Sequence, residues 1–164
     1  MARYEFKNIV EVDIEQDPVR PELSLNFRVS DGREMYALID EDNNKVAVIC
    51  LCYTKFVPKS IDEMKKFTDP EGNIVIPYTV WSRKKGAGKT IMDHMLKFAR
   101  ETKQIERIVT LSPLTLMATN FHERNGAIQI GLNAETQNFE YSIADTRWEK
   151  YMKDAKKWFS LHIG

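Results

Sequence analysis

Apolar residues along the chain switch between a period of about 2 and one near 3.6, and the switches delimit the expected elements. Tyr4 to Ile14 alternate as a first strand. Pro18 and Pro21 interrupt it, and Pro21 suits the first turn of a short helix reaching about Val29. Asp31 and Gly32 signal a turn before MYALID, and the run Asp40 to Asn44 turns into KVAVICLCYT, so two antiparallel strands are expected. Ser60 and Glu63 have the spacing of a capping box, which predicts a short helix from Ser60 to about Phe67 inside the connection Lys55 to Gly72. NIVIPYTVWS is apolar and rich in β-branched and aromatic residues, and reads as a central strand.

From Gly88 onward Ile91, Met92, Met95, Leu96, Phe98 and Ala99 fall near helical period, predicting a helix to about Thr102. A strand follows at Arg107 to Leu111. The next helix, Leu114 to Arg124, stops at Asn125 and Gly126, a pair suited to a left-handed helix end. AIQIGL and NFEYSI predict two further strands. From Thr146 the tail carries Trp148, Met152, Ala155 and Phe159, flanked by Tyr151 and Trp158, so one side of a last amphipathic helix is apolar. Such a helix more often docks or forms a homodimer than holds a substrate.

The 164 residues are the size of one compact domain and contain no repeat or Gly/Ser linker, so residues 1–164 are expected to form a single domain. Lys plus Arg number 24 and so do Asp plus Glu, which leaves no global field to recruit nucleic acid or an anionic membrane. Any anion must be met by a local cluster. No apolar run approaches the roughly 20 residues of a membrane span, and MARYEFKNIV lacks the apolar core of a signal peptide, which points to the cytoplasm. The only cysteines, Cys50 and Cys52, share one face of a strand, where a disulfide between them is geometrically poor. No further Cys or suitably spaced His completes a zinc site, so both read as core residues of a reducing compartment and no metal is expected.

The most informative segment is SRKKGAGKT, between the central strand and a helix. Its glycines let the backbone approach an anion, and a helix N-terminus offers unpaired N–H groups at the positive end of its dipole. Arg83, Lys84, Lys85 and Lys89 supply local positive charge. The plainer alternative is a tight turn on a solvated basic face. GAGKT also imitates the end of a nucleotide-binding P-loop, but that pattern needs glycine where Arg83 stands, and RIVTLS lacks a terminal Asp for magnesium.

As Arg83-x-x-Gly86-x-Gly88, the segment resembles the coenzyme A pyrophosphate loop of the GNAT superfamily. A second motif, with Ala118, Phe121, His122, Arg124, Gly126 and Ala127, resembles the helix end that follows one strand later in those proteins. The resemblance implies an α/β (α+β) domain: a mixed, mostly antiparallel sheet flanked by helices, with a splayed central strand at the acyl-CoA site. It further implies acetyl-CoA or another acyl-CoA, malonyl-CoA included, bound by Val80, Trp81, Arg83, Lys84, Lys85, Gly86, Ala87, Gly88, Lys89, Thr115 and Arg124. Thr115 stands where a helix asparagine often helps to position coenzyme A. His122 replaces the Tyr that commonly reprotonates the thiolate, and no Glu lies in Ile74 to Ser82 to act as amine base.

A narrower resemblance fits these departures. YTVWS before the glycine loop, TLSP after the next strand and NFHERNGA are similar to the GNAT-type catalytic domain of malonyl-CoA decarboxylases. There a strand hydroxyl and the motif His handle the carboxylate and the carbanion equivalent. They fall on Thr79, with Ser82 as second choice, and on His122, whose ordinary pKa of about 6.5 suits a proton source near neutrality. The separate helical domain and the long insertion of that family have no counterpart. The expected function is acyl transfer from acyl-CoA to an amine of a small molecule or protein. The alternatives are decarboxylation and a catalytically inactive coenzyme A-binding module.

Overall fold

The computed structural model describes residues 3–144 and 155–161. Eight strands form one mixed sheet: β1 (Glu5–Ile9), β2 (Arg33–Ile39), β3 (Lys45–Thr54), β4 (Ile74–Ser82), β5 (Arg107–Val109), β6 (Ser112–Pro113), β7 (Ile128–Leu132) and β8 (Thr136–Tyr141). Their order is β1-β2-β3-β4-β5-β8-β6, with β7 also on β8. Every pair is antiparallel except β4 with β5. The helices are α1 (Leu25–Val29), α2 (Ile61–Phe67), α3 (Ala87–Glu101) and α4 (Leu116–Arg124). No helix among the described residues is long and apolar enough to cross a membrane.

The core lies on both faces of β3 and β4, which is why both strands read as nearly continuous apolar runs. On one face α3 buries Ala87, Ile91, Met92, Met95, Leu96 and Ala99 against Ile49, Leu51 and Val75. Each of its large apolar side chains contributes roughly 1.5–3 kcal/mol of transfer free energy. The other face holds Met35, Cys50, Cys52 and Tyr78, in one cluster with Met64 of α2 and with Leu25, Phe27 and Val29 of α1. Both cysteines are free and buried.

The sheet forks in its middle. β4 and β5 pair at only two positions, Ile74 with Arg107 and Val75 with Ile108. Past these, one main-chain bond joins the strands, Leu111 N–H to Pro77 O at 3.3 Å. The register of β3 against β4 shifts between Cys50 and Leu51, which leaves Tyr78 as an extra, bulged residue. Arg20 then staples the fork, its Nε donating to Tyr78 O and its Nη2 to Leu111 O, each at 3.1 Å.

Several expected boundaries move, and three of the shifts have a visible cause. β1 ends at Ile9, the last residue paired with β2, opposite Met35, and Asp13 caps a 3-10 turn at Ile14–Gln16. α1 starts at Leu25 rather than Pro21, because Ser24 Oγ caps the Phe27 amide while Asp17 ties the Val19 and Arg20 amides into a turn. β5 stops at Val109, since the Thr110 N–H bonds Phe139 O and its hydroxyl accepts from the Phe139 N–H. Of the expected tail helix, 155–161 is helical and the remaining part lies outside the described residues.

Candidate functional site

The loop after β4 is built as an anion cradle. Gly86 caps α3 in the left-handed region at φ 85°, which only glycine adopts readily, and a Cβ there would meet nothing within 4 Å. The Ala87 N–H is taken by Lys84 O, whereas the amides of Lys85, Gly86, Gly88 and Lys89 have no protein acceptor among the described residues. Arg83, Lys84, Lys85 and Lys89 are all exposed around them. Lys84 Nζ lies 5.8 Å over the Tyr4 ring, and Lys89 pairs with Asp93 at 3.0 Å on the surface, a contact worth little.

From this loop a cleft of about 280 Å³ runs along the open side of β4 toward the start of α4. Thr79, Val80, Trp81, Ser82, Gly88, Thr115 and His122, all selected from sequence, line it together. Pro18, Val19, Leu111, Pro113, Met117 and Phe121 make most of the remaining wall apolar. Gly88 sits where loop and cleft meet: a Cβ there would lie 3.2 Å from Phe121 Cε1 and 3.6 Å from Ser82 Oγ. Thr115 has a helix-capping task, its hydroxyl accepting from the Ala118 N–H at 3.1 Å. Arg124 does not line the cleft. It is exposed, with Nε donating to Asn120 O within its own helix.

His122 is 6% exposed, on the last full turn of α4. Gly126, at φ 95°, ends that helix, with the Ala127 N–H bonding His122 O at 3.0 Å and the Gly126 N–H bonding Glu123 O. The imidazole lies among Phe121, Phe139 and Tyr141, and its Nδ1 is 2.7 Å from Tyr141 Oη. Burial lowers its pKa to about 4, so near neutral pH it is uncharged and does not serve as the cationic acid its ordinary value suggests. Burial also raises the pKa of Tyr141, whose hydroxyl has His122 as its one hydrogen-bond partner among the described residues. A buried O–H without an acceptor costs about 1–3 kcal/mol, so Tyr141 donates to Nδ1 and the proton of the ring resides on Nε2.

Thr79 carries a different load. Its Oγ1 lies 2.9 and 3.0 Å from the two carboxylate oxygens of Asp17. Asp17 is 1% exposed, and it also accepts from the Val19 and Arg20 amides and from Arg28 Nη1 at 2.8 Å. The Arg28 guanidinium, itself fully buried, makes two further bonds to Leu23 O and one to Arg20 O. Asp17, Arg20, Arg28 and Tyr141 thus support the cleft without having been selected from sequence. Asp17-Pro18 is a turn-initiating dipeptide, which marks a turn but not its distant partner. A basic or aromatic residue in a mostly apolar segment carries no local sign of what it will meet.

No family model matches the chain, and no curated protein matches it by sequence. Solved structures do. The loading GNATL domain of CurA from Lyngbya majuscula matches with a TM-score of 0.63 and 15% identity, over 86% of this chain and 98% of that one. A GNAT-like decarboxylase, GphF, in complex with isobutyryl-CoA matches at 0.60 and 14% identity, over 67% of this chain and 78% of that one. The Campylobacter jejuni N-acetyltransferase PseH, in complex with acetyl coenzyme A, matches at 0.58 and 11% identity, over 87% of this chain and the whole of the other. Identities this low speak to architecture rather than chemistry: this chain has the GNAT fold.

Proposed function

We propose that the protein is an acyl-coenzyme A-dependent enzyme that transfers an acyl group, acetyl as the simplest case, to an amine. The observation that carries this reading is the group of unpartnered amides at the start of α3, next to the cleft that holds His122 and joined to its wall through Gly88. A pyrophosphate needs several N–H donors and positive charge at one point, and Lys85 to Lys89 supply both. The pantetheine arm then lies along β4 beside Val80 and Trp81, and the thioester reaches the apolar end near His122. PseH and GphF, which share the fold, hold acetyl coenzyme A and isobutyryl-CoA respectively, which agrees with this use of the cleft.

In the proposed reaction a neutral amine nitrogen attacks the thioester carbon and a C–N bond forms. The C–S bond breaks, and coenzyme A leaves as a thiolate that takes up the proton the amine gives up. His122, with Nε2–H toward the cleft, stabilises the oxyanion as a neutral donor, and Tyr141 holds that tautomer.

A second reading is decarboxylation of a malonyl-CoA type substrate. No carboxylate lines the cleft among the described residues to serve as an amine base, and His122 could stabilise an enolate in the same way as an oxyanion. Incubation with acetyl-CoA or malonyl-CoA, with and without amines, separates the two by mass spectrometry. Transfer leaves acetyl-CoA intact until an amine is supplied. Decarboxylation turns malonyl-CoA into acetyl-CoA without any acceptor, and coenzyme A binding without turnover identifies an inactive module. Failure of coenzyme A to bind by calorimetry overturns all three.

A further inference from the structure

We infer that Asp17 is a positioning residue that binds the hydroxyl proton of Thr79, so that Oγ1 meets the cleft as a hydrogen-bond acceptor and selects an uncharged acceptor substrate bearing an N–H. The inference rests on the acyl-transfer reading and adds to it the class of acceptor. Thr79 lines the cleft and is 4% exposed. Asp17 does not line it, but the next two residues, Pro18 and Val19, do. A threonine hydroxyl has one proton and two lone pairs, whereas an ionised carboxylate only accepts. Four donors converge on Asp17: the amides of Val19 and Arg20, the Arg28 guanidinium and the Thr79 hydroxyl. A protonated carboxyl in that position would set its own O–H against one of them. The Thr79 proton is therefore committed, and only lone pairs remain for anything bound in the cleft.

This polarity sorts substrates. A group offering an N–H finds an acceptor in Thr79, while an enolate or carboxylate oxygen meets lone pairs. The cleft wall of Pro18, Val19, Leu111, Pro113 and Met117 carries no charge that would hold an ammonium, so the amine enters neutral. Aniline, uncharged near pH 7, and N,N-dimethylaniline, which lacks the N–H, form a probe pair that differs in the required feature.

The experiment titrates each amine into the full chain with coenzyme A present, following the Thr79 methyl resonance by NMR. Aniline is expected to bind about three- to tenfold more tightly than N,N-dimethylaniline, the worth of one neutral hydrogen bond. Both read on a neighbouring methyl, Thr79→Ser should keep that preference and Thr79→Val should abolish it. Asp17→Asn presents an NH₂ that can donate to Thr79 Oγ1 and free the Thr79 proton, so it too should lose the preference while Thr79 stays in place. Should Asp17→Asn fail to fold by circular dichroism, the Thr79 pair decides alone. Equal binding of the two amines, absence of binding by both, or a preference retained in Thr79→Val overturns the inference. Coenzyme A affinity is measured by calorimetry on the same samples. Loss of coenzyme A binding by the wild-type protein would instead sink the acyl-CoA reading itself.

Discussion

His122 sits between Phe121 and Phe139 with Nδ1 on Tyr141, and burial brings its pKa from the usual 6.5 to about 4. Between those two values the unfolded chain binds a proton at this position that the folded chain does not. Stability therefore falls as pH drops through the window, while above about pH 6.5 this group makes no difference. The size is on the order of 2 kcal/mol between pH 7 and pH 5. Urea unfolding of the wild type and His122→Gln should show the smaller acid loss in the variant, and equal losses would mean that the imidazole is solvated. If acyl transfer runs as proposed, His122→Ala takes away one donor to the oxyanion and should lower turnover about 10²- to 10³-fold with coenzyme A affinity nearly constant. His122 and Thr79 were legible from sequence because each belongs to a local motif. Asp17 and Tyr141, which determine what those two can do, lie 62 and 19 residues from the side chains they touch.

At the scale of elements, the segments that read most clearly are those whose burial is uniform along their length. β3 and β4 match the expected runs closely because both faces are covered, and α3 because one face meets the sheet throughout. The ends of β1 and α1 shift because pairing with β2 stops at Ile9 and because a side-chain cap sets the start of α1, and neither shows in the periodicity. Gly126 does show: its left-handed φ follows from the Asn-Gly pair, and Gly126→Val should destabilise by roughly 1–3 kcal/mol through backbone strain, since a Cβ there meets open space. An unchanged melting temperature would place the strain elsewhere. The fork is the element that sequence conceals. Arg20→Met would leave Tyr78 O and Leu111 O without their staple, and each buried acceptor left unpaired costs about 1–3 kcal/mol. The denaturation midpoint should fall at constant slope, equivalent to a loss of about 2 kcal/mol or more in unfolding free energy, against less than about 0.5 kcal/mol for the exposed control Arg124→Met.

For the whole molecule, the fork separates β1–β4 from β5–β8 beyond the pair Val75 and Ile108, where the Leu111 N–H to Pro77 O bond and the Arg20 staple bridge it. A ligand lying in the fork touches both halves: Val80, Trp81 and Gly88 on one side, Leu111, Thr115 and His122 on the other. It binds the folded chain and not the unfolded one, so it should stabilise by mass action, about 2.7 kcal/mol at a hundredfold excess over its Kd. For a chain of 164 residues that corresponds to a rise in Tm of roughly 5–10 °C. With equal positive and negative charge overall, a nonspecific polyanion effect is not expected to imitate this. Coenzyme A should therefore raise the Tm and ATP with magnesium should not, because Arg83 stands where a P-loop needs glycine. Gly88→Asp should erase the coenzyme A effect: the new carboxylate projects between Phe121 and Ser82 and repels the phosphates the amides would hold. A Tm that rises equally with ATP would transfer the loop to nucleotide chemistry, and a coenzyme A shift that survives Gly88→Asp would move the pyrophosphate away from α3.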